Sequence, residues 1–145
     1  MAARRNDQST TTAARARSSS GRITVVIPVK DDAPALAACL GGLAAQSRLA
    51  DEVVVVDNGS SDDSAAVARA AGAVVVPCDA PGIPAAAARG YDAATGDVIL
   101  RLDADCRPDR EWVARMVALL DADPRAAAVS GAATFVDGPR ALRAP

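Results

Sequence analysis

The sequence predicts an α/β fold built on a mainly parallel, doubly wound sheet. Short runs of β-branched residues alternate along the chain with alanine-rich segments of helical length, which is the β-α-β-α order of such sheets. The runs are apolar throughout, as expected for strands that are covered on both faces. The 145 residues allow one compact core. We therefore expect one α/β domain whose strands are joined by right-handed crossovers.

The strands are predicted from the apolar runs. Four of them are expected at Ile23–Val29, Glu52–Asp57, Ala73–Pro77 and Asp97–Asp103, and a fifth, shorter strand at Ala127–Phe135.

The helices are predicted between and after these strands. The first begins at Pro34, a residue suited to a first helical turn, and runs to about Gln46, although Gly41 and Gly42 within it each cost about 1 kcal/mol relative to alanine. The second is capped by Ser61 or Asp62 and ends at Gly72. The third and fourth are expected at Pro84–Thr95 and Asp109–Leu120, the latter with Trp112, Met116, Leu119 and Leu120 at helical spacing.

Residues 1–22 differ from the rest of the chain. They carry five arginines against one aspartate and few large apolar residues, so we predict a disordered basic tail, followed by a domain over residues 23–145. A basic arm for anionic lipid and an Arg/Ser-rich transit peptide are the alternatives.

Composition excludes several classes of function. With no histidine, Ser-His-Asp and Cys-His nucleophile pairs, histidine-ligated zinc and haem cannot be built, and acid–base work falls to carboxylates. Three widely spaced cysteines indicate neither a disulfide framework nor a zinc knuckle and favour a cytoplasmic setting. An aromatic content of 2% and a net charge of −2 argue against nucleic acid as a partner.

Acidic residues follow three of the predicted strands. They occur as Lys30-Asp31-Asp32 after the first strand, as Asp57-Asn58-Gly59-Ser60-Ser61-Asp62 after the second, and as Asp103-Ala104-Asp105 after the fourth. Parallel α/β sheets bind ligands outside the carboxyl ends of their strands. Any single aspartate here is equally explained as a turn or capping residue. Three acidic ends on one rim repel one another unless a cation or polar ligand lies among them.

Asp103 and Asp105 are two residues apart after an apolar strand, so their carboxylates can point toward one place. Carboxylate oxygens suit Mg²⁺ or Mn²⁺, which keep positions open for water and phosphate oxygens. A cation held there would stabilise charge developing on a leaving group.

Two common nucleotide-binding motifs are missing. The segment after the first strand has no G-x-G-x-x-G, and the single lysine, Lys30, has no glycine loop before it, which excludes a P-loop. A phosphotransferase that forms an aspartyl-phosphate near Asp31 stays open as an alternative.

Three segments in this order, ITVVIPVKDD, DEVVVVDNGSSDDS and PGIPAAAARGYDAATGDVILRLDADCRPDREWV, resemble the family 2 glycosyltransferases, which use nucleotide-sugars and have the GT-A fold. The resemblance covers roughly residues 23–135. It implies an inverting transfer of a sugar from a nucleoside-diphosphate sugar to an acceptor hydroxyl with a divalent metal, Mn²⁺ or Mg²⁺, on the D-x-D motif. The acceptor, a glycan, a lipid or a small molecule, stays open.

The resemblance also implies roles for individual residues. Pro28 and Val29, with Asp31 or Asp32, border the nucleobase and ribose, and Asp57 accepts a hydrogen bond from the base. Arg89 lies near the nucleotide, Asp103 approaches the ribose and the metal, and Asp105 is the direct metal ligand. The chain departs from the family at Lys30, where an aromatic or polar residue is frequent, and at Gly90, where asparagine is common.

The family's catalytic base has no counterpart here. It lies in an acidic motif of the second half of the domain, and the carboxylates after Asp105 are better explained by helix capping and solubility; they are Asp109, Glu111, Asp121, Asp123 and the loop residue Asp137. We therefore expect an incomplete domain in the cytoplasm or at the cytoplasmic face of the membrane, where missing segments would attach it. A non-catalytic nucleotide- or metal-binding fragment is the competing hypothesis.

Overall fold

The computed structural model describes residues 21–131. Four strands form one parallel sheet in the order β3-β2-β1-β4. The strands are β1 (Ile23–Val29), β2 (Glu52–Asp57), β3 (Val74–Pro77) and β4 (Val98–Arg101), and the helices are α1 (Ala33–Ala44), α2 (Ser64–Ala70), α3 (Ile83–Ala93) and α4 (Trp112–Ala122). The predicted parallel α/β architecture is confirmed.

The centre of the sheet is β1, whose seven residues are all buried. It pairs with β2 from Thr24 opposite Glu52 to Val29 opposite Asp57, and with β4 along its other edge. A continuous apolar strand is stable only where both faces are covered, and the helices supply that cover.

The core has two parts, one on each face of the sheet. On one face, α1, α2 and α4 pack on the alternate β1 residues Val25, Ile27 and Val29. On the other face, α3 packs on Val26 and its neighbours in β2. The sheet is therefore the middle layer of three.

Gly90 allows the close approach of α3 to the sheet. A Cβ atom at this position would lie 2.3 Å from Val26 Cγ1 and 2.9 Å from Val56 Cγ2, closer than any side chain tolerates. At Gly90, where asparagine is common in the family, this chain has the residue that lets α3 lie directly on β1 and β2.

Several predicted bounds differ from the observed ones. The first and third helices start one residue before Pro34 and Pro84, each of which lies in a first helical turn. The fourth helix begins at Trp112 instead of Asp109, because residues 103–111 form an irregular segment. The second begins at Ser64, so neither Ser61 nor Asp62 precedes it directly.

The structure describes only part of the predicted tail and part of the predicted fifth strand. Residues 127–131 of the predicted fifth strand form no strand, and 132–135 lie outside the described residues. Residues 1–20 of the predicted tail also lie outside them. Arg22, assigned to that tail, is part of the folded domain: its N–H donates to Asp97 Oδ2 at 3.1 Å, and its Nε donates to Thr95 Oγ1 at 3.1 Å.

None of the helices within residues 21–131 has the length and hydropathy needed to cross a membrane.

Candidate functional site

A cavity of about 260 Å³ lies at the carboxyl ends of β1, β2 and β4. The strand order places these three ends side by side, so the predicted acidic segments share one rim. The lining residues are Pro28, Val29, Lys30, Asp32, Asn58, Ile83, Ala86, Asp103, Ala104 and Asp105. The sequence predicted eight binding residues when Asp32, the alternative to Asp31, is counted as one of them. Five of the eight line the cavity, namely Pro28, Val29, Asp32, Asp103 and Asp105.

The D-x-D motif forms one wall of the cavity. Leu102 and Ala104 are buried, while Asp103 and Asp105 are exposed, so the alternation of the strand continues just past its end. The buried residues hold the segment against the core. Both carboxylates are exposed at the cavity.

The two carboxylates are not equivalent. Arg101 Nη2 donates to Asp103 Oδ1 at 2.8 Å, across a pair of side chains that are both well exposed. Burial, the largest single effect, lowers the pKa of Arg101, but the hydrogen bond to Asp103, the charge of that carboxylate and the interaction with Tyr91 together outweigh burial, so the pKa of the guanidinium is raised. Within the described part of the chain, the Asp105 carboxylate has no hydrogen bond or ion pair. Asp105 is therefore the more available ligand of the two.

These residues fit a divalent cation in donor chemistry. Asp103 and Asp105 offer hard carboxylate oxygens at one wall of a cavity, which suits Mg²⁺ or Mn²⁺. No group of three or more histidine, cysteine, aspartate or glutamate side chains within residues 21–131 could hold a metal ion. Mg²⁺ bound by one or two carboxylates ordinarily takes its other ligands from water and phosphates.

Asp31 lies at the rim but does not line the cavity. It has a φ of 52°, and its Oδ1 accepts hydrogen bonds from the backbone N–H of Ser61 at 2.6 Å and from Ser61 Oγ at 3.0 Å. Its own N–H donates to Ser60 Oγ at 3.0 Å. The backbone hydrogen bond from Ser61 is the main reason why the pKa of Asp31 is lowered. This carboxylate therefore joins the loop after β1 to the loop after β2.

Asp62 makes a second link between the same loops. Its Oδ2 accepts a hydrogen bond from the N–H of Ala33, the first residue of α1, at 2.9 Å. Its Oδ1 accepts from the N–H and the hydroxyl of Ser64, the first residue of α2, at 2.9 and 2.5 Å. The prediction of a capping residue was therefore incomplete, because one carboxylate serves the first turns of two helices.

Asn58 is a residue of the site that the sequence reasoning missed. It is buried, and its Nδ2 donates to the carbonyl oxygens of Cys78 at 2.9 Å and Ala80 at 2.7 Å. Its Oδ1 accepts from the N–H of Gly82 at 3.0 Å. The side chain therefore fixes the loop between β3 and α3 against the end of β2. A polar residue directly after a buried strand was the available signal.

The other predicted residues lie around the cavity. Asp57 Oδ1 accepts from the N–H of Ser60 at 2.9 Å, and Asp57 is half-buried beside the lining residue Asn58. Arg89 is exposed on α3 and does not line the cavity. The structure thus brings Pro28, Val29, Asp103 and Asp105 to one cavity and leaves Arg89 outside it.

Most of the later carboxylates in the described range have structural partners. Asp109 pairs with Arg115 and accepts a hydrogen bond from the N–H of Glu111. Glu111 Oε2 accepts from Ser47 Oγ at 2.7 Å, and Asp123 Oδ1 accepts from the N–H of Arg125 at 2.9 Å. Asp137 lies outside the described residues.

The fold and the cavity define a parallel α/β domain with an acidic cavity at the carboxyl ends of its strands. The model of glycosyl transferase family 2 matches residues 24–144, and the chain belongs to that family. None of the curated proteins matches the chain.

Crystal structures of glucosyl-3-phosphoglycerate synthase from Mycobacterium tuberculosis are similar to the chain. The complex with UDP is 28% identical with a TM-score of 0.64, over 72% of this chain and 41% of the synthase. The complexes with Mg²⁺ and UDP and with Mn²⁺, UDP-glucose and phosphoglyceric acid are 29% identical with TM-scores of 0.62, over 70% of this chain and 40% of the synthase. The chain thus spans about 40% of the length of these structures.

Proposed function

We propose that this chain is the donor-binding part of an inverting glycosyltransferase, which moves a sugar from a nucleoside-diphosphate sugar to an acceptor hydroxyl. The observation that carries the proposal is the cavity at the ends of β1, β2 and β4, which the D-x-D carboxylates line together with the end of β1 and Asn58. Membership of the family and the similar structures that hold UDP or UDP-glucose support it.

The nucleoside would occupy the side of the cavity formed by β1 and β2. Pro28 and Val29 offer an apolar surface there, with Asp32 beside them. Asp57 would accept a hydrogen bond from the base through Oδ2, because Ser60 occupies Oδ1. Arg89, which is exposed, would meet only the outer part of a nucleotide.

Asp105, with Asp103, would hold Mn²⁺ or Mg²⁺. The structures of the synthase that contain Mg²⁺ with UDP, or Mn²⁺ with UDP-glucose and phosphoglyceric acid, support a divalent cation at this site. When bound, the cation neutralises negative charge on the diphosphate leaving group. Asp103 would also approach the ribose, while Arg101 donates a hydrogen bond to its other carboxylate oxygen, Oδ1.

The acceptor hydroxyl would attack the anomeric carbon from the face opposite the diphosphate. None of the described carboxylates is assigned as the base. We infer a glycan, lipid or small-molecule acceptor, a role in polysaccharide synthesis and a cytoplasmic location, with membrane attachment as the alternative to free diffusion.

Calorimetric titration with UDP- and GDP-sugars, with and without MnCl₂, tests the proposal. We expect one donor to bind only with Mn²⁺, and Asp105→Asn to weaken that binding by about tenfold or more, since even groups that merely orient metal ligands contribute 10–100-fold. Asp123→Asn is the matched control, because it removes an exposed carboxylate from the end of α4.

The absence of binding by every donor, or binding that Asp105→Asn leaves unchanged, would contradict the proposal. Metal-dependent binding without sugar transfer to any supplied acceptor would instead favour the non-catalytic nucleotide-binding role.

A further inference from the structure

Lys30 is the single lysine of the chain, and it lines the cavity. It directly follows β1, and its side chain is exposed. Within residues 21–131 it forms no ion pair, although the cavity also contains carboxylates. A flexible ammonium group is therefore available to a ligand at the centre of the site.

The backbone on both sides of Lys30 is fixed. The carbonyl oxygen of Val29 accepts a hydrogen bond from the N–H of Asn58 at 2.9 Å. The N–H of Asp31 donates to Ser60 Oγ at 3.0 Å, and the Asp31 carboxylate holds Ser61. The stem of Lys30 therefore leaves from a rigid point between the ends of β2 and β4.

The residues that line the cavity carry more negative than positive charge. Asp32, Asp103 and Asp105 line it, and Lys30 is the single basic residue among the lining residues. Arg101 is engaged by Asp103, and Arg89 lies outside the cavity. An anionic ligand would meet strong repulsion here from the carboxylates unless a divalent cation and a basic side chain offset it.

We propose that the ammonium group of Lys30 binds the diphosphate of the nucleotide. The proposal rests on the proposed function, since it presupposes a nucleoside-diphosphate ligand. Lysine binds phosphate as a compact point charge with three donors, and the charge-assisted hydrogen bond is about twice as strong as a neutral one. The nucleobase and ribose carry no such charge, so the contact distinguishes a nucleoside diphosphate from a nucleoside.

The test compares UDP, UMP and uridine, with GDP, GMP and guanosine in parallel, in the presence of MnCl₂. Affinities are measured by calorimetry, and by ligand-observed NMR for the nucleosides. Lys30→Met should weaken diphosphate binding by about 10–100-fold, the effect of losing a hydrogen bond to a charged group, and leave nucleoside binding unchanged. Lys30→Arg should retain most of the affinity. Arg69→Gln, which removes a positive charge on α2 outside the cavity, should have little effect.

The outcomes separate this inference from the proposed function. Diphosphate binding by Lys30→Met that equals the wild type, or an equal loss for nucleoside and diphosphate, would overturn the role of Lys30 and leave the proposed function standing. A wild-type chain that binds no diphosphate with Mn²⁺ would overturn both.

A labelling experiment on the unmodified chain does not depend on a variant that folds. An amine-reactive acetylating ester can modify Lys30 and the terminal amine, and the terminal amine is the internal reference. Mass spectrometry should show that UDP or GDP with MnCl₂ slows acetylation of Lys30 at least about tenfold, the protection expected when the amine is held by a charged ligand for most of the time. Equal rates with and without a bound nucleotide would overturn the proposal.

Discussion

Asp31 shows how one side chain can organise the rim of a site without lining it. Its positive φ suits aspartate, asparagine or glycine, and its carboxylate holds the N–H and hydroxyl of Ser61. Lys30 and Asp32, on either side, line the cavity. The conformation of Asp31 thus leaves its neighbours at the cavity and directs its own carboxylate toward the next loop.

Two substitutions at Asp31 separate its hydrogen bonds from its backbone conformation. Asp31→Asn keeps an acceptor oxygen and tolerates the positive φ, whereas Asp31→Gly keeps only the conformation. We expect thermal denaturation to show a larger loss of stability for Asp31→Gly than for Asp31→Asn. Equal midpoints for the two variants would mean that the contacts with Ser61 contribute no more than glycine gains from its freedom at positive φ.

The sequence predicted that acidic residues lie along one rim of the sheet, but it did not predict which contacts each of them makes. Parallel strands must end on one edge, so Asp103 and Asp105 could be placed without a structure. The direction of Asp31 depends on one backbone angle, and the partners of Asn58 lie twenty to twenty-four residues away, between Cys78 and Gly82. The position of Asn58 after a buried strand was a local signal, but neither its partners nor the direction of Asp31 leaves one.

At the scale of elements, the strands were predictable because each is a mostly apolar run between polar turns, although β1 is buried throughout and β3 and β4 only in part. The first residues of the helices were harder to predict, because they depend on contacts with distant parts of the chain. The side chain of Gln46, for example, donates to the carbonyl oxygen of Asp109 at 2.6 Å and accepts from the N–H of Val113 at 2.9 Å. These contacts hold the segment before α4 in an irregular conformation, although its composition suits a helix.

Two helical glycines should respond to alanine in opposite directions. At Gly90 a new Cβ would collide with Val26 and Val56, so Gly90→Ala should destabilise the domain by about 1–3 kcal/mol, as overpacking does. At Gly41 nothing lies within 4 Å, so Gly41→Ala should stabilise it by about 0.5–1 kcal/mol. Urea unfolding measures both.

A second substitution shows whether the clash is the cause. Val26→Ala opens space beneath α3, so the double variant with Gly90→Ala should be more stable than the sum of the two single effects predicts. Additive losses, or a stable Gly90→Ala variant, would mean that α3 can move away from the sheet at little expense.

At the scale of the whole molecule, one carboxylate joins three segments of the chain. Glu52 Oε2, at the start of β2, accepts hydrogen bonds from Thr24 Oγ1 at 2.6 Å and from the N–H and hydroxyl of Thr95 at 2.9 and 3.0 Å. Glu52 lies at the amino-terminal ends of the strands, whereas the cavity lies at their carboxyl ends. A substitution of Glu52 therefore tests the stability of the domain separately from ligand binding.

The pKa of Glu52 is lowered from its ordinary value of 4.5, chiefly by the hydrogen bond from Thr24. A carboxyl whose pKa is lowered by folding contributes stability above its unfolded pKa and loses that contribution as the pH falls through its folded pKa. Urea unfolding should therefore show wild type more stable than Glu52→Gln at pH 7, with the difference shrinking below about pH 4.5, the unfolded pKa. Thr24→Val, which removes the main donor, should reduce the same pH dependence. The difference in unfolding free energy between wild type and Glu52→Gln could instead stay constant from pH 7 to about pH 2. The carboxyl would then titrate alike in the folded and unfolded states, and the charge of Glu52 would not hold these segments together.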